Sequence, residues 1–326
     1  MIIYWFVNVN YSIKKEKYSI NINIMTSPNK NTKKKIKGIK FGKTRKRDNR
    51  KIWNGSGFDV LFGLVYLLNK YNDLCVPIKN ANINLLSFMV GFFCKQEVKY
   101  AKHENDYVLS IPDKDNFVDN IKKCSKNHRF LCVPVYIGSS SCSSLAHMNV
   151  LLIDNKEQKI YRFESYGQYG FTPRSLKIYK YFDKRFEEWL KMNKLNYSYE
   201  AFRDCPNIGP QELEERELEM SASTAYEDVK DPGGFCGVWG IYFIDVMLRN
   251  PELTKRDVFN KIMKKLKKQP RSIRTWIRNY TKYITKQRRN LINSINEEYK
   301  YTPRKVVWDM KIQNYISELL IKRIEK

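Results

Sequence analysis

The sequence predicts an α+β fold in which a β-hairpin and a neighbouring strand pack against a helix that is apolar on every side. Three runs rich in β-forming residues cover 130–137, 148–153 and 159–163, and a polar turn separates the last two. An almost wholly apolar helix follows a Pro-Gly-Gly turn and extends to Arg249, where an Asn-Pro pair ends it. Because an all-apolar helix has to be buried, we expect it at the centre of the fold.

Three other segments are predicted to be helical. Residues 57–70 and 83–94 are apolar, and residues 175–195 are amphipathic. Ordered structure is expected to begin near Trp53. With 326 residues, of which 42% are hydrophobic and 14% aromatic, the chain can bury a sizeable core, which excludes a globally disordered protein.

The net charge of +26 is concentrated at the two ends of the chain. Residues 1–51 carry +13, residues 52–254 carry −2 and residues 255–326 carry +15. The central part is therefore predicted to be an ordinary globular domain that carries the chemistry. The first segment is predicted to be a disordered basic arm, and the last a basic helical extension.

The seven cysteines and three histidines indicate neither a metal site nor a disulfide framework. The cysteines are odd in number and none lies in a Cys-x-x-Cys pair, so we expect free thiols in an intracellular reducing compartment. No apolar stretch reaches about 18 residues, so no membrane span is predicted. The apolar opening segment has no basic region before it and no cleavage site after it, so we expect no signal peptide.

Cys236 opens the apolar helix, directly after a Pro-Gly-Gly-Phe turn. A thiol in the first turn of a helix is close to the partial positive charge of the helix N-terminus, which favours the thiolate. The glycines before it let backbone and substrate approach closely. Most cysteines are inert packing residues, so this position indicates a nucleophile only in combination with a base.

A base and a carboxylate that orients it are predicted on the hairpin. If Ile153 pairs with Ile160 across the turn, Glu164 and His147 become diagonal neighbours on one face of the sheet. A carboxylate next to an imidazole orients it and stabilises its charged form, as a cysteine–histidine pair requires. Asp154, the competing carboxylate, would lie about 20 Å away at the far end of the hairpin.

An oxyanion hole needs hydrogen-bond donors beside the nucleophile. The backbone N–H of Cys236 is one such donor, and a side-chain amide would be the second. Gln211 is the one glutamine between Gln168 and Cys236, and we predict it for this role. A surface position in a loop is the alternative for any single glutamine.

These residues occur in the order His, acidic residue, Gln, Cys, which resembles the ubiquitin-like-protein (SUMO) proteases and the adenovirus protease, adenain. Three blocks carry the resemblance: VPVYI before His147, FESYG with Glu164 17 residues after that histidine, and DPGGFCGVWG around Cys236. The resemblance covers roughly residues 130–250. Within the clan, the chain looks most like poorly characterised members encoded by large DNA viruses, which share the last two blocks.

The chain departs from the family pattern at several positions. Met148 and Phe235 stand where many members have Trp after the histidine and Asp before the cysteine. Gln211 lies 25 residues before Cys236, whereas the spacing in cellular members is five or six residues. The acidic segment 212–231 would then be an insertion.

The resemblance implies a papain-like or adenain-like cysteine protease core within residues 52–254. Cys236 would be the nucleophile and His147 its base. Glu164 would orient the histidine, and Gln211 would donate to the oxyanion. The resemblance implies no metal and no organic cofactor.

The substrate implied by the resemblance is a ubiquitin-like conjugate or a viral structural precursor, cleaved at a peptide or isopeptide bond. The expected location is the host cytoplasm, a virus factory or the virion. Two alternatives stay open. The first is a catalytically inactive, protease-like virion or nucleic-acid-binding protein, and the second is a transacylase or deamidase that uses the same Cys and His.

The basic ends predict nucleic acid as a further partner. Residues 255–290 contain 14 Lys or Arg and one acid, with apolar residues at four-residue spacing on either side of Pro270. We expect two amphipathic helices with their basic faces outward. Together with the arm, these faces predict sequence-independent binding of DNA or RNA. Aromatic residues are sparse among the basic positions, so duplex and single strand are expected to bind about equally.

Overall fold

The computed structural model describes most of the chain from Trp53 onward, and the described residues belong to one compact unit. The predicted arm at 1–51 and the acidic residues 221–231 lie outside the described residues. The described residues are 53, 57–79, 88–95, 101, 103–113, 115–138, 146–168, 173–220, 235–269, 272–298 and 305–326.

Helices and strands occur largely in separate runs along the described part of the chain, with most of the strands before residue 164 and five helices in succession after residue 209, an order typical of an α+β fold. The helices are α1 (Gly57–Lys70), α2 (Phe117–Asn127), α3 (Pro173–Met192), α4 (Pro210–Met220), α5 (Cys236–Arg249), α6 (Lys255–Lys267), α7 (Ile273–Glu298) and α8 (Lys305–Glu325). The strands are β1 (Leu74–Cys75), β2 (Val90–Cys94), β3 (Tyr107–Ser110), β4 (Phe130–Gly138), β5 (Ala146–Asp154), β6 (Lys159–Phe163) and β7 (Ser198–Glu200).

The strands form one mixed sheet in the order β3-β2-β4-β5-β6-β7, with β1 paired to β4. Strand β4 is parallel to β2 and antiparallel to β5, and β6 is antiparallel to β5 and parallel to β7. The sheet therefore has the predicted hairpin, β5–β6, near its centre.

The register of this hairpin is the predicted one, because Ile153 pairs with Ile160. Strand β5 begins earlier than the sequence suggested. It starts at Ala146, so His147 lies inside the strand opposite Ile137 of β4 rather than before it. The backbone of the histidine is thus fixed by the central ladder of the sheet.

Helix α5 is the central buried helix that the sequence predicts, and it packs on β5. Gly240 allows this close approach, because a Cβ at that position would lie 2.8 Å from Cγ1 of Val150. The aromatic rings of Phe163 and Phe243 stack at 4.4 Å across the same interface. Burial of such rings supplies much of the core energy of a domain.

The helix predicted over 83–94 is wrong in its second half, where β2 (Val90–Cys94) pairs with β4. The residues of β2 are Val-Gly-Phe-Phe-Cys, which suit a buried strand, and a short apolar run of this kind has no periodicity that separates helix from strand. The amphipathic prediction over 175–195 corresponds to α3.

The basic extension contains the expected helices α6 and α7 on either side of Pro270, and their apolar stripes are buried. On α6 these residues include Val258 and Ile262. Helix α7 also makes a buried ion pair, in which Arg288 lies 2.8 Å from Asp59 of α1. Both helices therefore pack against the rest of the fold and do not project from it.

The expectation of free thiols holds for Cys132, Cys205 and Cys236 but is wrong for Cys75 and Cys124, which form a disulfide between β1 and α2. Cys94 is disulfide-bonded as well. The two sulfur atoms of the first pair come from residues 49 positions apart, and only the fold brings their Cα atoms to 5.9 Å. The location in a reducing compartment stays a prediction, and free thiols throughout the chain no longer support it.

The described helices include none with the length and apolar character needed to cross a membrane.

Candidate active site

Cys236 is the first residue of α5, and its side chain is partly exposed. The helix start is held close to its surroundings by Gly237. A Cβ at that glycine would lie 2.8 Å from Cγ2 of Val60 and 3.4 Å from Sδ of Met148. The thiol is thereby fixed at the helix N-terminus beside the strand that carries the histidine.

His147 contacts both a carboxylate and the thiol. Its Nε2 atom lies 2.7 Å from Oε1 of Glu164, and the ring is also hydrogen-bonded to Cys236. Because Glu164 engages Nε2, Nδ1 is the ring nitrogen left for the thiol. The imidazole is only 4% exposed, so a proton exchanged with the thiol is shielded from water.

The pKa values of the thiol and the imidazole move in opposite directions. Burial alone would raise the pKa of Cys236, but the hydrogen bond and charge of His147, with backbone N–H groups, lower it below the ordinary value. Burial alone would lower the pKa of His147, but the charge of Glu164 and the contact with Cys236 raise it to about 10. The thiolate–imidazolium pair is therefore the favoured state at neutral pH.

The other free thiols in the described residues differ from Cys236. Burial raises the pKa of both Cys132 and Cys205 above the ordinary value. The thiols of Cys132 and Cys205 are therefore not suited to act as nucleophiles at neutral pH.

Glu164 is fully buried at the end of β6, and neighbours fix its carboxylate. Oε1 accepts hydrogen bonds from Nε2 of His147 and from the backbone N–H of Tyr166, at 2.7 and 3.1 Å. Nη2 of Arg162 lies 3.8 Å from Oε2, and Arg162 is itself paired with Asp183 at 2.6 Å. A positive charge thus lies on the far side of the carboxylate from the histidine.

Asp154 is at the far end of the hairpin, as the register predicts. It pairs with Lys159 across the turn and forms an ion pair with Arg129 at 3.1 Å. Seven residues of strand separate it from His147, a distance of about 20 Å. It therefore has no part in orienting the imidazole.

Gln211 lies in the first turn of α4, buried beside the residues that follow Glu164. Its Oε1 accepts from Oγ of Ser165 at 2.8 Å, and its Nε2 donates to the hydroxyl of Tyr166 at 2.9 Å. The ring of Tyr166 in turn lies 5.3 Å from the ring of His147. The oxyanion role of Gln211 stays a prediction.

Helices α4 and α5 contact each other one turn into each helix, where Nε1 of Trp239 donates to Glu214 at 3.1 Å. Two glycines allow the loop before α4 to pack closely against the loop after Glu164. Gly167 has φ +77°, and a Cβ on Gly209 would overlap the carbonyl oxygen of Ser165. These contacts bring the start of α4 to the carboxylate end of the site.

Several residues that surround the site are not indicated by the sequence patterns. Trp53 is buried with its ring 3.9 Å from the position of a Cβ on Gly237, next to Met148. Tyr179 of α3 packs edge-on against His147, with ring centroids 5.9 Å apart. Arg162 is the residue that the sequence could have indicated, because a charged residue inside a buried strand requires a buried partner.

No cluster of three or more potential metal-binding side chains occurs in the part of the chain described above. The site is built from a thiol, an imidazole and a carboxylate. These three groups are the ones that can carry out nucleophilic and acid–base chemistry at the site.

Comparisons with known proteins give distant matches. No protein-family model matches the chain. An ankyrin repeat protein of Acanthamoeba polyphaga mimivirus is 25% identical over 269 residues, which cover 75% of this chain and 33% of that protein. The chain therefore spans about a third of the length of this curated relative.

Among solved structures, ChlaDub1 of Chlamydia trachomatis is similar with a TM-score of 0.41 and 12% identity, over 74% of this chain and 94% of that one. Cdu1 of Chlamydia trachomatis, solved bound to ubiquitin, has a TM-score of 0.30 and 13% identity, over 75% and 93%. Sequence identities and TM-scores this low do not assign an activity to the chain.

Proposed function

We propose that the chain is a thiol hydrolase, a cysteine peptidase that cleaves a peptide or isopeptide bond. The observation that carries this proposal is the contact of Cys236 with His147, whose other ring nitrogen is held by Glu164. A lowered thiol pKa beside a raised imidazole pKa is the arrangement that a nucleophilic cysteine needs.

The reaction follows from the positions of these groups. The thiolate of Cys236 attacks the carbonyl carbon, and the oxyanion that forms is held by the backbone N–H of Cys236 and, as we propose, by Gln211. The imidazolium of His147 protonates the leaving amine, which departs and leaves a thioester. Neutral His147 then takes a proton from water as the water attacks the thioester, and the acid and free thiol are released.

Glu164 acts through His147 in this scheme. It holds Nε2, so that Nδ1 points to the thiol, and its negative charge stabilises the imidazolium. The carboxylate itself does not touch the substrate.

A ubiquitin-like conjugate is the substrate we propose, with a viral structural precursor as the second candidate. The support is the limited access to the thiol of Cys236, which is only partly exposed. Limited access of this kind favours a narrow, unbranched segment such as a glycine-containing tail.

The test is labelling of the full chain with ubiquitin-like proteins that carry a C-terminal electrophile. We expect a covalent adduct, seen as a mass increase, that is lost in Cys236→Ala and retained in Cys205→Ser. The same chains are then incubated with unmodified ubiquitin-like precursors and with virion structural proteins to identify the natural cleavage. An adduct that persists in Cys236→Ala, or the absence of labelling and cleavage across the whole panel, would contradict the proposal.

A further inference from the structure

A cavity lies near the end of α5 that is opposite to the thiol of Cys236. It has a volume of about 390 Å³ and is lined by residues of α1, α5, α6 and α7. Arg249 in its wall is the last residue of α5, 13 positions from Cys236, which corresponds to about 20 Å along the helix. The cavity is therefore separate from the candidate active site.

Aromatic rings form one side of this cavity. Trp276 stacks on Trp239 with ring centroids 5.8 Å apart, and Tyr242 packs edge-on against Trp276 at 4.6 Å. Tyr283, on the same helix as Trp276, is 59% exposed. These rings come from α5 and α7, and the fold brings Tyr242, Trp276 and Tyr283 into the wall of one cavity, which gives a planar group an aromatic ring to pack against.

Cations form the other side. Lys70, Arg249 and Lys265 line the cavity, and Asp245 is the one acidic residue among its lining residues. Asp245 is already paired, at 2.7 Å with Lys70 and at 3.1 Å with Arg249. The lining therefore carries a net charge of +2, which favours an anionic ligand over a neutral or cationic one.

Lys265 is the cation best placed for such a ligand. Its Nζ atom lies over the Trp276 ring, 5.3 Å from the ring centre, so an anion bound in the cavity would meet a positive charge next to the aromatic rings. Burial and the nearby charge of Arg249 lower the pKa of Lys265, and the charge of Asp245 offsets only part of this effect.

The surroundings indicate that this anion is part of a polymer. Residues 255–290, which include α6 and most of α7, have 14 basic residues against one acid. A charge of this density attracts a polyanion and not a single small ion.

We propose that this cavity binds an unpaired base of a single-stranded nucleic acid, with the base stacked on the exposed ring of Tyr283 next to Trp276 and the adjacent phosphates held by Lys265 and Arg249. The volume is that of a small-ligand pocket and admits a single base, which a duplex cannot supply without opening. The cavity thus gives the predicted nucleic-acid binding a site, and the preference for single strands that we propose replaces the equal binding of duplex and single strand expected from the sequence. This inference is independent of the peptidase activity.

The experiment is a titration of the full chain with a labelled oligothymidylate of about 12 nucleotides, followed by fluorescence anisotropy at several salt concentrations. A duplex of the same length and polyglutamate are the comparison ligands. Removing one stacked ring costs about 1–3 kcal/mol, so Tyr283→Ala should weaken single-strand binding by about 5- to 100-fold and duplex binding far less. Trp276→Leu should act in the same direction.

Lys265→Ala tests the role of the positive charge in the cavity, and Lys264→Ala is its matched control. Both lie on α6, but only Lys265 lines the cavity. We expect Lys265→Ala to weaken single-strand binding more than Lys264→Ala, whereas the two variants should affect duplex binding equally. Circular dichroism checks the fold of each variant, and Tyr283 and Lys265 are exposed enough for substitution to leave it intact.

Two results would overturn the proposal. One is equal binding of single strand and duplex with no effect of Tyr283→Ala or Lys265→Ala. The other is competition by polyglutamate that is as strong as that of oligothymidylate and is lost in the same variants. In that case the cavity would be a site for an acidic protein segment.

Discussion

Replacing Glu164 by Gln removes one negative charge from the candidate active site and changes its shape very little. The amide oxygen of Gln can still accept a hydrogen bond from Nε2 of His147. The neighbouring Arg162 keeps its ion pair with Asp183 at 2.6 Å. The variant therefore tests the charge of the carboxylate and not its volume.

The size of the effect follows from the raised pKa of His147. A value of about 10 against 6.5 corresponds to about 5 kcal/mol of preference for the imidazolium. The charge of Glu164 is the largest of the contributions that raise it, and Cys236 supplies the rest. If Glu164→Gln removes half of this preference for the imidazolium, kcat/KM should fall by about 100-fold. If the imidazole of His147 also adopts the wrong tautomer, the fall should reach about 10⁴-fold.

The assay is the pH profile of kcat/KM on the substrate identified by probe labelling. The active form has Cys236 as thiolate and His147 as imidazolium, so activity falls below the lowered thiol pKa and above about 10. Without the carboxylate the pKa of His147 drops, and the alkaline limb should move to lower pH. The thiol pKa should rise at the same time, so the profile narrows from both sides.

Asp154→Asn is the matched control, since it removes the same charge from the other end of the same hairpin. It should lower stability by weakening the ion pair with Arg129 but leave kcat/KM and the pH profile nearly unchanged. Equal loss of activity in the two variants, or an unshifted alkaline limb in Glu164→Gln, would refute the assigned roles.

Two further predictions test the thiol and the packing of its helix. Cys236 should react with iodoacetamide near pH 7 faster than the free thiol of Cys205, whose pKa is raised, and His147→Ala should slow it. Equal rates for both thiols would contradict the ion pair. Gly240→Ala should destabilise the fold by about 1–2 kcal/mol in urea unfolding, because overpacking against Val150 outweighs the gain in helix propensity. An increase in stability would show that α5 can shift.

The parts of the site that could be predicted from sequence are those fixed by local geometry. His147 and Glu164 belong to one hairpin with a short turn, so the pairing of Ile153 with Ile160 decides which side chains meet. The position of Cys236 follows from the turn that starts an apolar helix. Neither inference needs knowledge of the rest of the sheet.

The parts that could not be predicted depend on contacts between distant segments. The strand at Val90–Cys94 is stabilised by a parallel partner, β4, more than 40 residues away, which a local pattern does not show. The disulfide joins residues 49 positions apart, and seven cysteines allow many pairings. Trp276 and Tyr283 share one face of α7, but Lys70 and Arg249 of the same cavity join them only when α7 packs against α1 and α5.

The buried charges behind Glu164 argue for function over packing. Arg162 is fully buried, its guanidinium lies 4.8 Å from the Phe182 ring, and it pairs with Asp183. Replacing such buried ions by apolar residues is often neutral or stabilising, so stability alone does not explain them. Arg162 also lies 3.8 Å from the carboxylate that holds the histidine, and that position is what a fixed negative charge next to His147 requires.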